Sequence, residues 1–178
     1  MTEMPDPAPP GLTPTGGGAS PTDTVSPAET EARVEADLEQ LDVDAPRVGI
    51  VMGSQSDMDK MQAAATELEK RGVLHEVRVM SAHRDPEVVA DYAKNAQMRG
   101  LRVIIASAGL SAALPGVVAA HTTLPVIGVP LTSSRSIAGG LDALLSIAQM
   151  PPGVPVACVG VDSARNAAVL AARILGEG

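Results

Sequence analysis

Large aromatic side chains are almost missing from this chain: its 178 residues include one tyrosine, Tyr92, and no phenylalanine or tryptophan. Single-stranded nucleic acid is usually held by stacking its bases on such rings, so that class of partner is excluded. A single cysteine, Cys158, rules out an intrachain disulfide framework and fits a reducing compartment. It stands in a valine-rich run with no activating neighbour, as a buried strand residue would. No uninterrupted apolar run reaches the length of a membrane span. The first residues lack a basic-plus-hydrophobic signal pattern. The expected location is therefore cytoplasmic, with no membrane partner. No grouping of His, Cys and acidic residues has metal-ligand spacing, so no metal is expected.

The net charge of −8 is unevenly placed. Residues 1–46 carry ten acids and one arginine, whereas residues 47–178 carry eleven acids and twelve lysines or arginines. The second stretch is near neutral and offers no basic stripe for nucleic acid. It is long enough for one domain with a sizeable core. The first stretch is expected to be a disordered acidic tail. Residues 1–27 are rich in Pro, Gly, Ser and Thr, and they lack groups that could build a core. Residues 28–41 are compatible with a short acidic helix, but Val34 and Leu38 make a thin apolar face, which favours a solvated tether.

From Arg47 onward, apolar runs alternate with helical patterns. Val48 to Met52 reads as a buried parallel strand ending at Gly53. A helical pattern follows, with Met58, Met61, Ala65 and Leu68 on one face and Gly72 as its stop. Val73 to Met80 is a second strand, in which Val77 and Val79 alternate with charged neighbours. Asp85 is placed to cap the next helix and Pro86 to occupy its first position, where no N–H is needed. That helix runs through Val88, Val89, Tyr92 and Ala96 to Gly100. Leu101 to Ala106 and Pro125 to Val129 are further strands, with a helix near Pro115 to His121 between them. A helix over about Leu141 to Ala148, a fifth strand over Val154 to Val161 and an alanine-rich helix near Leu175 complete the pattern. Five strands alternating with helices make an α/β fold, a parallel sheet covered on both faces.

Ligands of such sheets bind beyond the carboxyl ends of the strands. Four small, polar loops fall there: GSQSD, SAHRDP, SAGLSA and PLTSSRS. The second presents His83 and Arg84 side by side at a strand-to-helix turn. A group that titrates near neutrality beside a fixed cation suits proton transfer on an anionic substrate. Alone, the pair is better explained by a structural ion pair of Arg84 with Asp57 or Asp85, with His83 an ordinary loop residue. Its position among the converging loops favours function. In the first loop Gly53 permits close approach, Ser54 and free N–H groups suit an anion, and Asp57 suits sugar hydroxyls. Helix capping by Ser54 or Ser56 is the competing account. The loop has neither the P-loop lysine nor the dinucleotide glycine spacing, which leaves a mononucleotide as the better ligand. His75 and His121 read as structural, and the serines of TSSRS have no adjacent histidine to activate them.

The ordered set VGIVMGSQSD at 48–57, SAHRDP at 81–86, ALPG at 113–116, LPVIGVP at 124–130, LLSIAQMPPGVPVA at 144–157 and NAAVLAARIL at 166–175 resembles the PurE family of purine biosynthesis, the N5-carboxyaminoimidazole ribonucleotide mutases. The resemblance implies a three-layer, flavodoxin-like, doubly wound parallel sheet. It also implies an active site with His83 as general acid/base, Ser54 and Arg84 on the substrate phosphate, and Asp57 on the ribose. Ser81, Gly109, Ser111 and Met150 would be further substrate contacts, with Gln149 nearby. No cofactor is implied, and the family assembly is a homo-octamer.

Two neighbours of that activity remain open. Where the usual bacterial mutase reads GAGGAAHLPG, residues 107–116 read SAGLSAALPG, so Ala113 replaces a histidine and Leu110 a glycine. Related carboxylases that use CO₂ directly also lack that histidine and carry a serine at the position of Ser111, although they usually follow the first histidine with lysine rather than Arg84. More distant alternatives are a carboxylase acting on a pyridine mononucleotide and a non-catalytic nucleotide-binding protein. Retention of His83, Arg84, Ser54 and Asp57 together counts against the last.

Overall fold

A computed structural model describes residues 26–43 and 45–177 of the chain. Most of the tail expected to be disordered, residues 1–25, lies outside the described residues. The described residues divide into two units, parted after Asp37. The short acidic helix does form, as α1 (Pro27–Val43), which begins in the first unit. Its start is a capping box: Ser26 Oγ accepts from the Glu29 N–H at 3.2 Å, while Glu29 accepts from the Ser26 N–H at 2.9 Å. The thin apolar face stays open, with Val34 51% exposed.

The second unit is built on five parallel strands, β1 (Val48–Met52), β2 (His75–Val79), β3 (Val103–Gly109), β4 (Val126–Leu131) and β5 (Ala157–Cys158), in spatial order β2-β1-β3-β4-β5. That is the flavodoxin-like order. Strand β1 pairs with both of its neighbours, Val48 opposite His75 on one side and Val103 on the other. The connecting helices are α2 (Met58–Lys70), α3 (Pro86–Asn95), α4 (Leu114–Ala120), α5 (Leu141–Ala148) and α6 (Ala164–Ile174).

Side-chain alternation sorts the core into two layers. Val48, Ile50 and Met52 face α2 and α6, with Val103, Ile105, Ile127 and Val129 beside them. Val51, Ile104, Ala106 and Val126 face α3, α4 and α5. Small residues substitute for the missing aromatics by allowing close approach. The buried Ala164, Ala167, Ala168 and Ala171 let α6 sit against Met61, Ala64 and Leu68 of α2. On the other face Gly128 admits Ile147 of α5, since a Cβ there would stand 2.3 Å from Ile147 Cγ2 and 2.9 Å from Val156 Cγ1.

Three local expectations change. The fifth strand pairs only over Ala157–Cys158 instead of Val154–Val161, because Pro155 has no N–H to donate and the chain leaves the ladder after Val159. Cys158 is half-buried there, and burial pushes its thiol above the usual range, as suits a structural residue. Strand β2 lies at the sheet edge, so Val77 and Val79 stay exposed. On the charged side the partly buried Glu76 meets the exposed Arg78 and Arg99. Asp85 occupies the cap position of α3 without a side-chain cap bond; the turn closes instead through the Asp85 N–H to the Ser81 carbonyl at 2.8 Å.

The sequence pattern also missed a buried acid on α2. Glu67 is held between Arg71 and Arg165, both at 2.9 Å, and so ties α2 to α6. Hydrogen bonds from Arg71 and Arg165 outweigh burial and hold its carboxyl below the usual range.

Replacing Gly128 by alanine forces a methyl group into Ile147, whose branch is fixed at Cβ, and should cost about 1–3 kcal/mol as overpacking; a urea midpoint unchanged from wild type would show that α5 yields freely. Because Glu67 is depressed on folding, its contribution is present above its unfolded value near pH ~4.3 and is lost as pH falls through the lower folded value. Glu67→Gln should therefore lower stability at neutral pH and flatten the loss below pH ~4.3, read by thermal unfolding across the pH range.

Candidate functional site

The carboxyl ends of β1 to β4 open into one polar cavity of about 330 Å³. This is within the range of small-ligand sites, roughly 300–1,000 Å³. It sits at the switch point, where the chain leaves β1 for β2 on one side and later crosses to β3 on the other. Each wall is one of the four loops read as polar in the sequence.

The β1 loop contributes Gly53, Ser54, Ser56 and Asp57. Ser54 Oγ accepts from the Ser56 N–H at 3.3 Å and from Ser56 Oγ at 2.9 Å, so the serine caps the short turn before α2 while also lining the cavity. Capping by Ser54 is thus compatible with a place in the cavity lining. Burial pushes the Asp57 carboxyl above its usual range, against hydrogen bonds with Ser54 and Ser56 and the charge of Lys60. A ligand hydroxyl donating to Asp57 would restore hydration that burial has removed.

The β2 loop brings Ser81, His83 and Arg84 to the same space. Ser81 fixes the turn by accepting from the Arg84 N–H at 3.3 Å. The Arg84 guanidinium crosses to the β1 loop, where Nη2 donates to the Gly53 carbonyl at 2.9 Å. No salt bridge joins Arg84 to Asp57 or Asp85 among the described residues, so the structural ion pair does not form.

The β3 loop lines the cavity with Ala108, Gly109, Leu110 and Ala113. Leu110 and Ala112 adopt positive φ, +56° and +32°, conformations that an L side chain enters at a cost of roughly 1–3 kcal/mol. A glycine would enter them freely. Gly109 is needed for another reason: a Cβ there would stand 2.9 Å from the Leu131 carbonyl oxygen.

Two expected contacts fall elsewhere. Ser111 is exposed beside the cavity lining, and its carbonyl accepts from Ser146 Oγ at 2.5 Å. Met150 follows α5 and packs on Gly116 of α4, where a Cβ would lie 3.2 Å from its sulfur. His83, Ser54, Asp57, Arg84, Ser81 and Gly109 do come together.

The β4 loop adds residues that the sequence did not single out: Thr132, Ser133 and Arg135. Behind Thr132 stands a clamp. Lys60 of α2 donates to the Thr132 carbonyl at 2.7 Å and to Thr132 Oγ1, and it meets both Asp162 oxygens at 3.0 Å. Asp162 accepts from the Thr132 N–H at 2.9 Å. Burial works to raise the Asp162 carboxyl, but the bonds from Thr132 and Lys60 outweigh it and hold it low. No spacing rule links residues 60, 132 and 162, so sequence carried no signal for this clamp. Among the described residues no group of three or more His, Cys, Asp or Glu is placed to hold a metal.

Fold and cavity together define a doubly wound α/β protein with a cavity of small-ligand size at its switch point. Residues 47–178 match the family model described as AIR carboxylase, and the chain belongs to that family, the PurE family. It is similar to the N5-carboxyaminoimidazole ribonucleotide mutase of Pyrococcus horikoshii, 57% identical over 131 residues that cover 74% of this chain and 73% of the relative. A phosphoribosylaminoimidazole carboxylase of Schizosaccharomyces pombe is 52% identical over 151 residues, 84% of this chain and 27% of that longer protein. The crystal structure of Treponema denticola PurE aligns with a TM-score of 0.64 at 36% identity, covering 74% of this chain and 80% of the other.

Removing the Asp162 carboxylate by Asp162→Ala should speed hydrogen exchange at the Thr132 amide, while the central amides of β3 keep their protection. Unchanged exchange at Thr132 would mean that the clamp does not hold the loop.

Proposed function

We propose that the protein is an N5-carboxyaminoimidazole ribonucleotide mutase of purine biosynthesis. The observation that carries this reading is the convergence of His83, Arg84, Ser54 and Asp57 on one cavity, in a chain 57% identical to a protein of that name. The reaction transfers a carboxylate from the exocyclic nitrogen of the substrate to a carbon of the imidazole ring. Ser54 and Arg84 bind the phosphate, beside the first turn of α2. Asp57 takes the ribose hydroxyls, with Ser81 and Gly109 lining the ring's place.

His83 gives a proton to the carbamate nitrogen as the N–CO₂ bond breaks, releasing CO₂ inside the pocket. The ring carbon attacks that CO₂, and His83 then takes the ring proton, which restores aromaticity and returns the histidine to its starting state. One group both gives and retrieves the proton. The pocket's advantage is to keep CO₂ beside the ring, an effective-concentration effect. The protein works without a cofactor, in the cytoplasm, as a homo-oligomer of the octameric kind found in the family. Exposed Leu145 and Val79 are apolar surface that such assembly would cover.

Direct carboxylation of aminoimidazole ribonucleotide is the second reading, and one feature favours it: Ala113 lines the cavity where the usual mutase carries a histidine. The purified protein is given either the carboxyamino substrate or aminoimidazole ribonucleotide, with and without bicarbonate. The mutase reading expects product from the first substrate without bicarbonate. Product that forms only from the second, and only with bicarbonate, would replace it with the carboxylase.

His83→Asn should fold and bind nucleotide yet lose at least about a hundredfold in turnover, since an amide cannot exchange a proton near neutrality; wild-type turnover in that variant would sink the mechanism. Arg84→Ala should weaken substrate binding, and Arg84→Lys should recover part of the loss because the planar fork is gone. Unchanged affinity in Arg84→Ala would remove Arg84 from the phosphate site.

A further inference from the structure

The cavity holds one more cation than phosphate recognition uses. Its charged lining consists of Asp57, Arg84 and Arg135. Arg84 is tied to the β1 loop through the Gly53 carbonyl. The Arg135 guanidinium makes no hydrogen bond or ion pair among the described residues, although its backbone N–H is fixed to Ser133 Oγ at 3.2 Å. Arg135 is an exposed member of the cavity lining, and a guanidinium without a partner at such a site suits an anion brought by the ligand.

Its loop is built rather than slack. Thr132 is pinned by Lys60 and Asp162, Ser136 Oγ accepts from the Ser133 N–H at 2.8 Å, and the Ile137 N–H donates to Asp162's counterpart on α5, Asp142, at 3.1 Å. The two arginines also enter from opposite walls. Arg84 follows β2 and Arg135 follows β4, three strand positions apart in the sheet. At about 4.8 Å per strand their loops start roughly 14 Å apart. Two cations on opposite sides of one cavity suit a ligand with an anion at each end.

The proposed substrate is such a ligand, with a phosphate at one end and a carboxylate on the base at the other. We infer that Arg135 binds the carboxylate end, so that the cavity distinguishes carboxylated from uncarboxylated aminoimidazole ribonucleotide. The inference rests on the ribonucleotide reading above. It assigns Arg135 a task separate from Arg84: Arg84 holds any ligand bearing the phosphate, and Arg135 adds affinity only when the base carries a carboxylate. The Lys60–Asp162 clamp seats the loop that presents it.

The test is direct binding to the full chain by calorimetry with two ligands, aminoimidazole ribonucleotide and its 4-carboxy derivative. Arg135→Ala should lose roughly ten- to a hundredfold in affinity for the carboxylated ligand, the range of one charge-assisted contact, and little for the uncarboxylated one. Arg135→Lys should restore part of the loss. Arg84→Ala should weaken both ligands alike. Equal loss for both ligands in Arg135→Ala, or no loss for either, overturns the inference while leaving the ribonucleotide reading intact. A wild-type protein that binds neither ligand overturns that reading and this inference with it.

Discussion

Parallel pairing of β1 with two strands at once is the constraint on which the site depends. Because Val48 is in register with both His75 and Val103, β1 and β2 finish level at Met52 and Val79 while β3 runs two residues further to Gly109, and the three loops open on the same side of the sheet. Pairing of β3 with β4 ends those two strands together at Gly109 and Leu131 and delivers the fourth wall. A shift of one residue in any of these ladders would exchange the side chains facing α2 and α6 with those facing α3, α4 and α5 along that strand. It would also move a loop by about 3.3 Å, more than a hydrogen bond at the site tolerates.

The composition follows from the same constraint. With almost no aromatic volume available, the two helical layers must come close to the sheet, and alanine and glycine make that possible. Gly128 accepts Ile147 on one face, and the alanines of α6 accept α2 on the other. Gly49 accepts the single aromatic, whose hydroxyl would meet a Cβ there at 2.3 Å. Arg99 lies over the same ring at 4.5 Å, closing its outer side with a cation. Close packing is thereby reached with small pieces, and the price is intolerance of added methyl groups.

Charge is used sparingly and locally. Glu67 joins α2 to α6 through two arginines, and Lys60 joins α2 to the β4 loop through Asp162 and Thr132. Both networks start on the helix that follows the first site loop, so α2 connects the scaffold to two of the four cavity walls. Strain is local as well. The non-glycine residues at positive φ include Leu110 and Ala112 in the β3 loop and Asp162 in the clamp, all at or beside the cavity.

Much of this was legible in the chain itself. Period-two and helical apolar patterns set the alternation of elements, because burial on a strand or helix leaves a local periodic trace. The four polar loops at strand ends located His83, Arg84, Ser54 and Asp57, because in a parallel sheet the connectivity alone sends those loops to one side. What the sequence could not decide was pairing and contact. Which strand lies at an edge was one such question, so the exposure of Val77 and Val79 and the short β5 came only from the tertiary structure. Contacts between distant residues were another: Lys60 with Asp162, Glu67 with Arg165, and the placing of Arg135 at the cavity leave no periodic trace. They depend on how separate helices and loops dock in three dimensions, and no local rule of spacing encodes that docking.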